Sequence, residues 1–169
     1  MNIRKLQTKD SPLLLNLLCQ LDRETKFMIY EPHERKTSSE ELSDSIKKII
    51  DNGGVIFGAE LSDELVGVLF AHRENINRIK HCVYLVIGVL QKVSGQGIAT
   101  KLLKAIEDWA IENKIFRLEL TVMVNNHRAI RLYERSGFEK EGIKRNSLVI
   151  DNAIVDEYYM GKILKLYNF

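Results

Sequence analysis

The chain predicts one α/β (α+β) domain: a mixed, mostly antiparallel central sheet of about seven strands, flanked by helices on both faces. Three observations carry this. Apolar runs of strand length recur at residues 2–7, 55–61, 65–72, 82–89, 116–122, 138–149 and 153–164. Apolar stripes at helical spacing lie between them. The resulting order, β-α-α-β-β-β-α-β-α-β-β, mixes hairpins with two β-α-β crossings, which demands a mixed sheet.

Residues 2–7 read as a short strand. Asp10-Ser11-Pro12 opens a helix with a polar cap and proline in the first turn, and Leu13, Leu14, Leu17, Leu18 and Leu21 supply its apolar face. Phe27 to Pro32 breaks it into a loop. Thr37, Ser38 or Ser39 caps a second helix with Leu42, Ile46, Ile49 and Ile50 as its stripe, and Asn52-Gly53-Gly54 ends it. Two strands then flank Ser62-Asp63-Glu64 as a hairpin. Residues 82–89 form a strongly apolar strand whose only glycine, Gly88, suggests a bulge, a close backbone approach or a fit under a bulky neighbour. A helix from about Gly97 to Asn113 buries Ile98, Leu102, Ile106, Trp109 and Ala110. In 116–122, Phe116, Leu118, Leu120 and Val122 alternate with Arg117, Glu119 and Thr121. Asn126 caps a short helix that stops at Gly137, and the closing strands turn at Asp151-Asn152.

The 169 residues fit a single domain, 1–169, able to bury a core without staples. A net charge of +2 with scattered Lys and Arg argues against nucleic-acid partners. No apolar run reaches bilayer length and no signal region follows the start, so no membrane partner and a cytoplasmic address are expected. Cys19 and Cys82 read as small core hydrophobes. His33, His72, His81 and His127 are too dispersed for a zinc site, and no metal is expected.

The stretch Ser94-Gly95-Gln96-Gly97-Ile98-Ala99-Thr100 joins an apolar strand to an amphipathic helix. The first turn of a helix has unpaired N–H groups and the positive end of the helix dipole. Small residues there let an anion approach the backbone. Thr100 stands where a dinucleotide fingerprint needs its third glycine, and the Gly-Lys-Ser/Thr of a Walker loop is absent. A plain strand-to-helix turn explains the loop equally well on its own.

Ile87 to Leu103 resembles the acetyl-CoA motif of the GNAT N-acetyltransferase superfamily. Its Arg/Gln-x-x-Gly-x-Gly/Ala pattern falls on Ser94-x-x-Gly97-x-Ala99. A second motif, Asn-x-x-Ala-x-x-Leu-Tyr followed by Gly-Phe, is matched by Asn126, Ala129, Leu132, Tyr133, Gly137 and Phe138 at the usual separation. Ser94 departs from the family's long side chain, which leaves the loop's backbone amides, Gln96 to Thr100, to hold the phosphates. The resemblance implies acetyl-CoA as cosubstrate, with Leu90, Ser94, Gly95, Gln96, Gly97, Ile98, Ala99, Thr100, Asn126 and Ala129 as its binding residues. It also implies that the 82–89 strand splays from the 116–122 strand around the pantetheine arm, and that the chain forms a homodimer.

N-acetyl transfer to a primary amine makes three demands. An alkyl ammonium, with a pKa of about 10.4, must lose a proton. The thioester oxygen needs a fixed N–H donor. The leaving thiolate needs a proton. By resemblance, the Val89 N–H is the oxyanion donor and Tyr133 the proton donor to sulfur. Tyr133 also reads as an ordinary core residue and Asn126 as an ordinary helix cap. Some relatives carry a glutamate near the start of the strand leading to the glycine loop, and the resemblance places His81 there as the candidate base, an imidazole titrating at about 6.5, with Glu31 and Glu74 as rivals. Tyr30 and Glu31 lie in the loop expected to shape the acceptor pocket. Arg128 and Arg131 face outward, toward solvent or the 3′-phosphate. Glu31, Asp156 and Glu157 are candidates to attract a cationic acceptor.

The expected function is therefore direct acetyl transfer from acetyl-CoA to a small amine, amino acid, polyamine or protein N-terminus. No cysteine lies in either motif, which disfavours an acyl-cysteine route. The competing reading is a catalytically degenerate acyl-CoA sensor, for which Ser94 speaks and against which Tyr133 stands. A purely structural protein lacks the exposed apolar stripe it would need.

Overall fold

The structure, a computed structural model, describes residues 1–164; the last five residues of the expected domain lie outside them. The elements are β1 (Asn2–Lys5), α1 (Ser11–Glu24), α2 (Ser39–Asp51), β2 (Val55–Leu61), β3 (Glu64–Arg73), β4 (Cys82–Val89), α3 (Ile98–Glu112), β5 (Arg117–Met123), α4 (His127–Arg135), β6 (Glu139–Ile150) and β7 (Ala153–Ile163). They form the expected seven-stranded sheet, in the order β1-β2-β3-β4-β5-β7-β6.

Local chemistry fixes the element ends. Ser38 caps α2: its hydroxyl accepts the Glu41 N–H while the Glu41 carboxylate accepts the Ser38 N–H, a reciprocal box. Ser62-Asp63 and Asp151-Asn152 both adopt positive φ at two successive positions, which matches the twist of the hairpins they close. Among the described residues only β4 and β5 are parallel neighbours. The second crossing, β5-α4-β6, passes over β7, which is antiparallel to both.

Helices cover both faces. On β4, a methyl group at Gly88 would meet Leu21 of α1 at 2.6 Å. On β3, Gly67 faces Ile98 of α3. Gly67 pairs with Val89, the neighbour of Gly88, so the two glycines look to opposite sides of the sheet. Gly88 therefore marks the close seating of a bulky neighbour, and the β3–β4 register runs past it without a bulge.

Two expectations about the core need correction. Leu13 is 41% exposed, because Leu14, Leu17, Leu18 and Leu21 already fill the inward face of α1 and Leu13 falls at its edge. Cys19 and Cys82 are half-buried free thiols rather than core residues.

Candidate active site

The site begins where β4 and β5 part. Their parallel pairing covers only Cys82–Tyr84 against Arg117–Glu119. Beyond it, Leu85–Val89 and Leu120–Met123 have no partner in each other, while β3 still holds β4 and β7 still holds β5. A gap thus opens in mid-sheet with intact walls, the splay the resemblance implied. The Leu90 N–H donates to Val66 O at 2.9 Å across the β3 side. Alternation along the strand turns the Val89 N–H to the other edge, into the gap.

The loop after β4 ends at the N-terminus of α3. Gly95 and Gly97 take φ of +84° and +75°, and a methyl group on either would meet nothing within 4 Å. Glycine is thus needed there for backbone shape, and the space outside is open. Gly97 caps α3 without any side-chain hydrogen bond, and the first helical bond is Lys101 N–H to Gly97 O at 3.1 Å. The N–H groups of Ile98, Ala99 and Thr100 therefore face outward with the helix dipole behind them, a fit to a pyrophosphate. The expected contribution of Gln96 is reduced, because its N–H reaches back to Val93 O at 3.4 Å. Ser94 is exposed, and its hydroxyl makes no hydrogen bond among the described residues. Leu90 is fully buried beneath this loop.

α4 follows β5, the strand on the other side of the gap. Asn126 Oδ1 accepts the Ala129 N–H at 3.2 Å, so this asparagine caps the helix and its amide NH₂ remains available. Ile130 and Tyr133 turn inward; Arg128 and Arg131 are exposed. Tyr133 is only 8% exposed and its ring packs against Phe138, with centroids 5.8 Å apart. Its hydroxyl has no hydrogen-bond partner among the described residues, yet none of their fully enclosed side-chain oxygens is left unpaired. The hydroxyl therefore opens to accessible space. Burial, and then the nearby Tyr84, push the Tyr133 phenol above its ordinary range, which keeps it protonated and able to donate.

Tyr84 is the residue that sequence reasoning missed. It shares the α1-facing side of β4 with Gly88. Its hydroxyl lies 2.7 Å from Thr121 Oγ1. Thr121 stands two residues beyond the last β4–β5 pair, so the two hydroxyls bridge the gap where the backbones have separated. A signal existed, since Tyr84 is the only hydroxyl in the apolar run 82–89.

His81 does not join this group. It precedes β4 at the end opposite Gly88, roughly 23 Å away at the rise of an extended strand. There its ring stacks flat on Phe116, 4.2 Å between centroids at 9°, and lines a separate cavity of about 480 Å³ with Arg73 and Lys80. Glu74 follows β3 at that same distant end. The resemblance pointed to the start of the strand that leads to the glycine loop, and that start lies at the end of β4 away from Gly88.

The loop between α1 and α2 overhangs the gap. The Glu24 carboxylate accepts the Gln91 N–H at 2.8 Å, and Met28 Sδ lies 3.5 Å from where a Gly88 side chain would begin. Lys26 pairs with Asp151 in the β6–β7 turn. Since β5 and β7 lie between β4 and β6, segment 24–28 roofs the opening. Arg35 grips buried Asp22 through two bonds of 2.6 and 3.0 Å and stacks over the Tyr30 ring at 4.3 Å. Glu31 is exposed on this loop. Of the expected cation-attracting carboxylates, Glu157 is taken by Lys144 at 3.3 Å and Asp156 by the Asn146 N–H at 2.8 Å. Among the described residues no cluster suits a metal, and no helix is long and apolar enough to cross a membrane.

Known proteins are similar to this chain in sequence and in fold. L-amino acid N-acetyltransferase AaaT of Escherichia coli (strain K12) is 29% identical over 107 residues, 61% of this chain and 64% of that enzyme, so the match spans less than two thirds of the relative. The crystal structure of an acetyltransferase of the GNAT family from Streptococcus pneumoniae superposes with a TM-score of 0.90 at 28% identity, covering 97% of this chain and 99% of that one. The Salmonella typhimurium protein yncA, solved with its cofactor acetyl-CoA, superposes at 0.87 over 100% of this chain and 96% of that one, and at 16% identity this likeness speaks for the fold alone. The model of the acetyltransferase (GNAT) family matches residues 15–138, from within α1 through the splayed strands and the glycine loop to the end of the Tyr133 motif, and the chain belongs to that family.

Proposed function

We propose that this protein transfers an acetyl group from acetyl-CoA directly to a primary amine. The observation that carries the reading is the mid-sheet gap, with the Val89 N–H turned into it and the unpartnered Tyr133 hydroxyl open beside it.

Acetyl-CoA supplies a thioester whose carbonyl carbon accepts the amine nitrogen. The N–H groups of Ile98, Ala99 and Thr100, with the open backbone at Gly95 and Gly97, hold the pyrophosphate. The amide NH₂ of Asn126 is placed to meet the pantetheine arm. The Val89 N–H faces the carbonyl oxygen as negative charge gathers there, a role worth about 2.7–4 kcal/mol in comparable donors. Tyr133, kept protonated by burial, gives its proton to the departing sulfur.

The Tyr84–Thr121 pair takes the place first given to His81. It lies on the α1 side of the gap, and an oxygen of the pair accepts an N–H from the incoming amine and aims its lone pair at the carbonyl carbon. The partly exposed Tyr84 links this point to water, which receives the amine's surplus proton. A covalent cysteine step has no support, since burial and then Glu119 push the Cys82 thiol up to about 12, far from a reactive thiolate.

The test is thiol release from acetyl-CoA with a panel of primary amines. Release dependent on amine is expected. Tight acetyl-CoA binding with no release for any amine would replace this reading with that of an acyl-CoA sensor.

A further inference from the structure

We infer that the acceptor is a monoamine with an apolar body, its nitrogen at the Tyr84–Thr121 pair and its body under the roof formed by the α1–α2 loop. The inference rests on the acetyltransfer reading and deepens it.

The roof carries large apolar side chains that the fold leaves uncovered. Phe27, Ile29 and Tyr30, three of four adjacent loop positions, are 45%, 70% and 38% exposed, and Met28 between them packs down toward Gly88. Tyr30 is held in place by Arg35, which Asp22 anchors. Lys26 ties the loop to the β6–β7 turn, where the facing pair Val149 and Ile154 is also exposed. An apolar group lying against these side chains would remove them from water.

Charge bookkeeping around the gap points the same way. A polyamine or diamine needs carboxylates free for its distal ammonium groups. Asp22 is committed to Arg35, Asp151 to Lys26, Glu119 to Arg117 and Glu157 to Lys144. Glu24 accepts from Gln20 and Gln91, and Asp156 from the Asn146 backbone. On the roof, Glu31 is the one carboxylate without such a partner among the described residues. One free carboxylate serves the single positive charge of an arriving monoamine and leaves none for a second.

The reaction balances without any further reactant. The ammonium releases one proton to water through the hydroxyl pair, the C–N bond forms as the C–S bond breaks, the nitrogen loses its second proton to water, and Tyr133 protonates the sulfur and is itself reprotonated from water. One proton is released per acetyl group transferred.

Three amines test the inference with the full chain: phenethylamine (apolar body), ethanolamine (polar body) and spermidine (polycation). The expected kcat/KM for phenethylamine exceeds each of the others by about tenfold or more, the scale on which a hydrophobic contact discriminates. In Phe27→Ser and Ile29→Ser the ratio of phenethylamine to ethanolamine falls by about fivefold or more, while acetyl-CoA affinity and melting temperature stay at the wild-type values. Spermidine turned over as well as phenethylamine, or an unchanged ratio in both variants, overturns this inference and leaves acetyl transfer standing. No thiol release with any of the three, or with other amines, overturns the acetyltransfer reading and this inference with it.

Discussion

Tyr133 has two neighbours that matter, the apolar wall that buries it and Tyr84. The wall raises its pKa, with Tyr84 adding to the rise, so the phenol stays protonated across the physiological range and is able to donate. Tyr133→Phe keeps the ring against Phe138 and removes only the hydroxyl. Turnover should fall by about a hundredfold, a usual share for one general acid, with acetyl-CoA affinity unchanged by calorimetry. Equal steady-state turnover in the variant would remove Tyr133 from the chemistry. Tyr84→Phe probes the other hydroxyl. Its loss should lower kcat/KM for the amine by about tenfold or more, and Thr121→Val added to it should cost little further, because the two oxygens act as one pair. Full additivity of the two substitutions would mean that the hydroxyls do not work together. The sequence alone suggested Tyr133 but not Tyr84, for a physical reason. Tyr133 sits in a motif eight residues long, Asn126 to Tyr133, whereas the value of Tyr84 depends on Thr121, thirty-seven positions away.

At the scale of elements, the loop–helix junction at Gly97 is a local device and was readable as one. Its φ of +75° costs a residue with a Cβ about 1–2 kcal/mol. The space beside it is open, so Gly97→Ala should fold with a slightly lower melting temperature and bind acetyl-CoA more weakly, its methyl group standing where the phosphates approach. Unchanged affinity by fluorescence titration would move the pyrophosphate elsewhere. Hairpins, caps and helical stripes were legible for the same reason, since each is set by residues within a few positions of one another. The parting of β4 and β5 was not legible in the residues themselves. Pairing between strands separated by a whole helix is a matter of register, and only the family resemblance anticipated it. His81 precedes β4, seven positions from Gly88, so its distance from the gap follows from where along β4 the strands part.

Across the whole molecule, a net charge of +2 means that pH acts through particular pairs rather than through a general repulsion. The most enclosed of these beside the Asp22–Arg35 roof anchor joins the start of the chain to the sheet. Arg4 on β1 bonds Asp10 at 3.0 Å and Glu60 on β2 at 3.1 Å, while the other Asp10 oxygen accepts the Gln7 N–H at 2.7 Å. Burial works to raise the Asp10 carboxyl, but the Arg4 hydrogen bond, the Gln7 N–H and the charges of Arg4 and Lys9 outweigh it and hold it below its ordinary value. A carboxylate whose folded pKa lies below its unfolded value, about 3.9, stabilises the fold above that value. The stabilisation disappears as the pH falls through the folded value and the group takes up its proton. Wild-type stability should therefore decline below about pH 4, as Asp10 leaves Arg4 and the Gln7 turn. Asp10→Asn lacks the charge at every pH. It should be less stable than wild type by about 1–3 kcal/mol at neutral pH, the range for hydrogen bonds to a charged group, and the difference should shrink as acid is added. Urea melts of both proteins at matched pH values measure that difference directly. A gap that stays constant into acid would mean that Asp10 contributes through packing alone and that the ion pair to Arg4 adds nothing to the fold.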